Sequence, residues 1–293
     1  MAITQAMPAG TEAPTAVRPI GLSDLRESLR DGWRDFQEKR GDILVVGFLY
    51  PLIGLIVAAM ALNDRFVPLA FPLCAGLSLL GPAVAVGFYE LARRRERGEE
   101  SDWSHFLDGF RRNGASIALA TLVLAAIFGL WLGAAWLLYT QAFGDGYMMW
   151  SFSHLNTVTL PDFLSHLFAT REGWTLILLG NLVGAGFALV VLALSVVTFP
   201  MLVDRQVDVG TAFATSLRAF AANWKSLIGW GVIVGALLVL GAIPAFIGLA
   251  VVLPVLGYST WHLYTRMIPR RDVTTRLHAF SSRVSAARIV PRP

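Results

Sequence analysis

Residues 226–265 read SLIGWGVIVGALLVLGAIPAFIGLAVVLPVLGYSTWHLYT and contain no Asp, Glu, Lys or Arg. These 40 residues are long enough to cross a hydrocarbon core of about 30 Å twice, because a helix rises about 1.5 Å per residue. One continuous helix is disfavoured because Pro244 and Pro254 interrupt it. The stretch therefore predicts two transmembrane helices, at 227–243 and 244–264.

The rest of the chain has the same apolar character. Of its 293 residues, 55% are hydrophobic and only 15% are charged, and the mean hydropathy is +0.60. A soluble domain carries about 25% charged residues. Other apolar runs of about 20 residues predict further spans at 43–62, 66–89, 115–139 and 174–200. The predicted fold class is thus an all-α polytopic membrane protein with six transmembrane helices.

The cationic residues predict the orientation of these spans. Six spans place both termini on one side, together with 22 of the 24 Lys and Arg residues, whereas only Arg65 and Arg171 fall on the other side. Cytoplasmic segments carry an excess of Lys and Arg, so both termini are predicted to be cytoplasmic. The net charge of +4 then reflects topology and not nucleic-acid binding. The runs at 93–97 and 270–271 are predicted to lie against anionic lipid headgroups.

A short aromatic stripe precedes three of the spans, and each stripe predicts an amphipathic helix lying in the membrane interface. The predicted starts of these helices are Ser23, Ser101 with Asp102, and the region of Asp208. The interface residues predicted from the stripes are Trp33, Phe36, Trp103, Phe106, Phe110, Phe213 and Phe220.

The spans that return to the cytoplasm also end alike, with Gly-Phe at 87–88, Thr-Phe at 198–199 and Gly-Tyr at 257–258. An interfacial helix, an outward span and an inward span would then form one unit. The sequence predicts three such parallel hairpin repeats, at about 22–91, 101–200 and 208–266. Together they form a membrane domain over 21–266. A disordered tail is predicted for 1–20, a basic tail for 267–293 and an external loop for 140–173.

Polar residues are scarce within the predicted spans. Their centres lack Asp, Glu, Lys and Arg, which argues against a proton- or sodium-coupled carrier. Asn181 is the main polar residue deep in a span, and it is interpreted either as a helix-packing contact or as part of a pathway. Glu90 and His262 lie near the cytoplasmic ends of their spans. With His105, they are the residues that a membrane enzyme would use.

The sequence favours no metal site, no cofactor and no catalytic residue. Only His262 of the five histidines is near a span, so the ligand set of a haem–copper oxidase is missing. Asp162 and His166 could share a helix face and bind zinc, but a third ligand at suitable spacing is lacking. The single cysteine, Cys74, excludes an internal disulfide framework.

Three stretches carry a resemblance to a known family. They are DGWRDF at 31–36, GPAVAVGFYE at 81–90, and Trp103. The chain resembles the domain-of-unknown-function family 2189, a group of uncharacterised bacterial integral membrane proteins. The resembling part extends from Ile20 to Arg266. The resemblance implies a membrane topology and the bacterial inner membrane, and it supplies no catalytic residues.

The function favoured by the sequence is that of a non-enzymatic membrane protein that organises lipids or partner proteins. Its predicted partners are membrane lipids, through anionic headgroups on the cytoplasmic face, and other membrane proteins. The alternative is a carrier or channel for an uncharged, apolar or lipid-like solute. A third interpretation is an enzyme acting at the cytoplasmic interface.

Overall fold

The computed structural model describes residues 15–38, 81–143, 160–244 and 246–269. Within these ranges the regular elements are all helices, which confirms the predicted all-α class. The helices are α1 (Leu22–Glu38), α2 (Gly81–Val84), α3 (Val86–Glu96), α4 (Asp108–Phe143), α5 (Leu160–Ala169), α6 (Arg171–Ser195), α7 (Thr198–Asp204), α8 (Val209–Ala242) and α9 (Leu249–Met267). A short 3-10 helix, Trp103–His105, precedes α4.

Three helical stretches are long and apolar enough to cross a membrane: Trp103–Ala142, Arg171–Asp204 and Val209–Ala242. They contain the spans predicted at 115–139 and 174–200, and all but the last residue of the span predicted at 227–243. Only 17 to 33% of their most apolar windows is buried inside the protein. Apolar side chains exposed to this extent are stable in contact with lipid and unfavourable in contact with water.

The other three predicted spans have different outcomes. The span at 43–62 lies outside the described residues, and the span at 66–89 is described only from residue 81. The span predicted at 244–264 corresponds to a turn followed by α9, which is not among the three membrane-crossing stretches. The total of six spans therefore stays a prediction.

The two prolines of this region behave differently. The chain leaves the helix at the turn containing Pro244, as the sequence predicts. Pro254, in contrast, lies inside α9 and is buried. Pro254 thus lies within the helix that occupies most of the span predicted at 244–264. A proline within a helix is tolerated where neighbouring groups surround the freed carbonyl.

Side-chain caps fix where the helices begin. The Asp208 carboxylate accepts a hydrogen bond of 2.9 Å from the Thr211 N–H at the start of α8, as predicted, and such bonds lower the pKa of Asp208. The Asp102 carboxylate likewise caps the 3-10 helix. At α1 the helix begins one residue before Ser23, the predicted cap, because the Asp24 carboxylate accepts from the Gly21 N–H at 2.8 Å.

The tightest packing lies where α3, α7 and α9 end and where α4 and α8 begin. Residues 86–93 and 196–203 are buried without exception. The aromatic side chain of each predicted span ending, Phe88, Phe199 and Tyr258, is buried here. Phe88 makes an edge contact with Tyr258, with ring centroids 5.8 Å apart. The protein is therefore packed densely at one end, whereas the membrane-crossing parts expose apolar side chains.

Candidate functional site: the charged layer

Charged side chains from five helices meet at the densely packed end. We call this group the charged layer. Its members are Asp35, Glu90, Arg93, Arg94, Arg95, Arg97, Asp108, Arg112, Asp204, His262 and Arg266. Two of the residues singled out from the sequence, Glu90 and His262, belong to it, but they occupy different parts of it and have different partners.

Glu90 forms the buried centre of one part. Its side chain is 0% exposed. It accepts hydrogen bonds of 2.9 and 2.7 Å from the Arg93 guanidinium and of 2.9 Å from Arg94 Nε, and it also accepts from Arg112. Arg112 donates a further bond of 3.1 Å to the Val203 carbonyl. A buried carboxylate is tolerated only when it is paired. The partners of Glu90 thereby join α3, α4 and the end of α7.

The arginines around Glu90 have further carboxylate partners. Arg94 donates to Asp108 at 2.7 Å, and Asp108 is also bonded to His105 at 2.9 Å. Arg93, which is only 2% exposed, lies 3.5 Å from Glu99. Burial opposes the charge of Arg93, but the hydrogen bond and the negative charge of Glu90 outweigh it and raise the pKa of Arg93.

This arrangement differs from the prediction for the basic run at 93–97, which was expected to face lipid headgroups. Arg93 is buried against Glu90, Arg95 pairs with Asp35 and Glu38, and Arg97 lies 3.4 Å from Asp204. Arg93, Arg94 and Arg95 are turned toward the protein because carboxylates of α3 and of neighbouring helices pair with them, whereas Arg97 is exposed. The second run, at 270–271, lies outside the described residues.

His262 belongs to the part of the layer that joins α1 to α9. Its Nε2 lies 2.8 Å from Asp35 Oδ2, and its Nδ1 lies 3.7 Å from Glu96. Arg95 Nε approaches the same Asp35 carboxylate at 3.4 Å. Asp35 and His262 are 227 positions apart in the chain. The contact therefore brings the first described helix onto the last one.

Arg266 makes a second connection between α1 and α9. Its guanidinium donates to Asp31 at 2.8 Å, to the Ser28 hydroxyl at 3.0 Å and to Glu27 at 3.4 Å. Partial burial raises the pKa of Asp31, but the hydrogen bond from Arg266 and the positive charges of His262 and Arg266 outweigh it. The net effect is a pKa below the ordinary value of 3.8.

The two helices cross closely at Gly32. A Cβ atom at this position would lie 2.6 Å from the backbone N and 2.8 Å from the Cα of Ser259. Only glycine fits this approach without a shift of one helix. The buried residues of α1 are Leu25, Ser28, Gly32 and Asp35, so apart from Leu25 this side of the helix is small or polar.

Some of the predicted interface aromatics pack inside the protein, and others are exposed on its surface. Phe106 packs edge-on to Phe88 with ring centroids 5.2 Å apart, in a space left by the missing side chain of Gly87. Trp103 stacks on Phe106 at 4.8 Å. The partly buried Phe36, Phe213 and Phe220 pack against the core, whereas Trp33 and Phe110 are exposed. The stripes therefore contribute to the packing of the protein as well as to its surface.

Two asparagines that the sequence did not single out connect the helices. Asn113 and Asn223 depart from helical geometry, with φ/ψ of −140°/39° and −127°/24°. Each follows the last aromatic of its stripe, Phe110 or Phe220, by three residues. This common position in the polar link after each stripe is the signal that could have identified them.

The side chains of both asparagines bond to backbone that is distant in sequence. Asn113 Nδ2 donates to the carbonyls of Leu202 and Val207, at 3.3 and 3.1 Å. Asn223 Oδ1 accepts from the Ile20 N–H at 2.8 Å, and its Nδ2 donates to the Arg18 carbonyl at 3.2 Å. Each side chain thus fixes the segment that leads into a later or an earlier amphipathic helix.

Asn181 lies apart from the charged layer. It is exposed on α6, and its Nδ2 donates to the Ile177 carbonyl of the same helix at 2.7 Å. Of the two glycines that flank it, Gly184 approaches the Trp131 ring, whereas a Cβ at Gly180 would meet nothing within 4 Å. The structure therefore places Asn181 on an outward surface, and a pathway role receives no support from its position.

One further group could offer metal ligands. Glu100, Asp102 and His105 each present one donor atom, and these atoms lie within 4.8 Å of one another. Both carboxylates are exposed, and His105 is already bonded to Asp108. Such surface groups are common without a bound ion, so they carry no metal assignment. Of the pair proposed from the sequence, His166 lies on α5, and the side chain of Asp162 is outside the described residues.

The comparisons identify the central part of the chain. Residues 70–204 match a family model described as "Predicted integral membrane protein (DUF2189)". No curated protein and no solved structure matches the chain. The DUF2189 stretch contains Glu90 and its three arginine partners, whereas α1, α8 and α9 lie outside it.

Proposed function

We propose that the protein is a non-enzymatic component of the bacterial inner membrane that organises lipids or partner proteins. The observation that supports this most is the internal pairing of the charged layer. Glu90, the most deeply buried acid, is bonded to three guanidiniums, which is the environment of a structural clamp. A general acid or base must instead exchange its proton with a substrate.

The other residues that an enzyme at this interface would use are also paired with charges. His105 is bonded to Asp108, and His262 is bonded to Asp35 and lies near Glu96. These contacts connect separate helices or stabilise the start of α4. They support a role in holding the membrane helices together at one end.

The proposal includes an orientation in which the charged layer and both termini face the cytoplasm. The layer gathers arginines from the ends of α3 and α9 and from the start of α4. Cytoplasmic ends of membrane helices are enriched in Lys and Arg. Arg171, one of two cationic residues predicted on the other side, begins α6.

We also propose that three hairpin repeats form a closed ring. One residue in the region of each stripe supports this arrangement, because it contacts the end of an inward-running helix. These residues lie four positions before Phe36, Phe110 and Phe220. The contacts are Gly32 with Ser259 of α9, Phe106 with Gly87 of α3, and Ser216 with Ala193 of α6 and Val197. Each amphipathic helix would then dock on the preceding repeat, with α1 docking on the last.

The test is to isolate the full-length protein in polymer-bounded nanodiscs cut directly from the membrane. Retained phospholipids and co-purified proteins are quantified against an unrelated inner-membrane protein of similar size that carries the same tag. We expect enrichment of anionic phospholipid, of a reproducible membrane-protein partner, or of both. A protein surrounded by lipid of bulk composition and accompanied by no enriched partner would contradict the proposal.

A further inference from the structure

The charges of α1 are sorted between its two sides. The acidic residues face α3 and α9, where Asp31 and Glu27 bind Arg266, and Asp35 and Glu38 bind Arg95. The arginines of the helix lie on the other side and are exposed. They are Arg26, Arg30 and Arg34.

These arginines are spaced four residues apart and therefore form one row along the helix. In the described residues, no carboxylate lies within ion-pair distance of any of them. Like charges four apart destabilise an isolated helix. Among the nearby acids, Asp31 interacts favourably with the charge of Arg34, but its hydrogen bond goes to Arg266 and it forms no ion pair with the row. The row is thus a concentration of positive charge that calls for an external anion.

Exposed apolar side chains lie beside the arginine row. Leu22 is four residues before Arg26 and is 71% exposed. Trp33, seven residues after Arg26, is 45% exposed and stacks on Phe36 with ring centroids 5.5 Å apart. An edge that combines Leu and Trp with arginines suits the boundary between lipid headgroups and acyl chains. A partner that is purely polar would leave the Leu22 and Trp33 surface in water.

We propose that the outward edge of α1, formed by Arg26, Arg30 and Arg34 beside Leu22 and Trp33, binds the headgroups of anionic phospholipids. This inference rests on the proposed function, because it names the surface through which the protein would engage lipid. The charge complementarity is direct, since guanidinium groups bind phosphate oxygens bidentately. The acids of α1 lock the helix to α3 and α9, and its arginines point toward the membrane surface.

The test compares a stripe variant with a charge-matched control in the full-length protein. The stripe variant carries Arg26→Gln, Arg30→Gln and Arg34→Gln. The control carries Arg111→Gln, Arg218→Gln and Lys225→Gln, three cationic residues of α4 and α8 outside α1 and at the same end of the protein. A protein that is embedded in a nanodisc is already surrounded by lipid, so specific lipid binding is measured in detergent. Native mass spectrometry therefore counts phosphatidylglycerol and phosphatidylcholine molecules bound to the detergent-solubilised protein.

We expect the wild type and the control to prefer phosphatidylglycerol, and the stripe variant to lose affinity for it by about fivefold per arginine. Phosphatidylcholine binding should be equal in all three proteins. An equal loss in the stripe and control variants would overturn the inference while leaving the proposed function in place. A wild type that shows no preference for phosphatidylglycerol would overturn the inference and the lipid part of the proposed function, whereas its partner-protein part is decided by the nanodisc experiment.

Folding and the nature of the partner are controlled separately. Helical content and thermal midpoint are measured for both variants, and they should match the wild type because the replaced side chains are exposed and Gln is a good helix former. Loss of a co-purified acidic protein from the stripe variant, with lipid preference unchanged, would also overturn the inference. In that case the edge would bind protein and not lipid.

Discussion

Glu90 shows what a single buried carboxylate does in this protein. Three guanidiniums converge on it, and the charge of the buried Arg93 is tolerated because Glu90 balances it. Replacing Glu90 by Gln should lower the free energy of unfolding by about 3–5 kcal/mol, the range for breaking a buried ion pair. Thermal unfolding in a mild detergent, followed by the loss of monodisperse protein, measures the effect.

The matched control for this prediction is Glu99→Gln. Glu99 lies 3.5 Å from the same Arg93, but its side chain is half-exposed, so its loss should change stability by less than about 1 kcal/mol. A Glu90→Gln protein as stable as the control would show that the cluster is not a clamp. A stable variant with a wild-type phenotype would also eliminate Glu90 as a catalytic residue.

Gly32 is the closest point between α1 and α9, and its replacement tests that approach. Gly32→Ala should be destabilising by about 1–3 kcal/mol, because the added methyl group would overlap the Ser259 backbone. Gly133→Ala in α4 is the control, since a Cβ there meets nothing within 4 Å. It should be neutral or stabilising by about 0.5–1 kcal/mol, and equal thermal midpoints for the two variants would contradict the close crossing.

At the scale of the elements, Asn223 holds the segment before α1 against α8. Asn223→Ala removes the hydrogen bonds to Arg18 and Ile20 and should cost about 1–3 kcal/mol of local stability. Thermolysin, which cleaves before large apolar residues, should then cut residues 15–21 faster at Val17 or Ile20. Asn181→Ala is the control, because that side chain is exposed and bonds to its own helix. Equal cleavage rates in the two variants would argue against the role of Asn223.

The attachment of α1 to α9 should depend on pH through Asp31. Its folded-state pKa is below the ordinary value of 3.8, so its contribution to stability is complete above that value. The contribution is lost as the pH falls through the lower, folded-state pKa. Thermal midpoints should therefore fall more between pH 5 and pH 3, at about the range of carboxylate titration, for the wild type than for Asp31→Asn. Parallel pH profiles would contradict this.

The elements that the sequence predicts well are those set by local pattern. The apolar windows around 115–139 and 174–200 are confirmed as helices long and apolar enough to cross a membrane, because length and composition alone set this property. The cap at Asp208 is confirmed because it depends on neighbouring residues alone. Asp35 and His262 are 227 positions apart, and the periodicity of the sequence contains no information about a pairing between such distant segments.

The same reason explains the basic run at 93–97. As a sequence it is indistinguishable from a solvated face, and the distant partners Asp35 and Asp204 join the local partner Glu90 in binding it. The stripe of α1 shows the converse. Its aromatic spacing predicts an amphipathic helix, but three of its four buried residues are small or polar, because Gly32 allows α9 to approach there.

At the scale of the whole molecule, polar and apolar stabilisation are separated along the helices. Residues 86–93 and 196–203 are fully buried near the ion pairs, whereas the membrane-crossing windows leave most of their side chains exposed. Lipid supplies no hydrophobic driving force between apolar helices, so contacts between small or polar groups become important for holding them together. In the described part of the chain, the charged layer supplies such contacts at one end. The orientation of the protein therefore follows from the side of the membrane on which that end lies.

Cysteine labelling locates that end relative to the membrane. In a Cys74→Ser background, which removes the single native cysteine, Glu100→Cys reports on the exposed segment beside the charged layer, and Glu172→Cys reports on the start of α6. A membrane-impermeant maleimide added to intact spheroplasts should label the cysteine at 172 and not the one at 100. Both should be labelled after permeabilisation, because both positions are exposed. The reverse pattern would place the arginine-rich layer outside the cytoplasm, against the usual distribution of cationic residues, and would also remove the α1 stripe from the cytoplasmic leaflet.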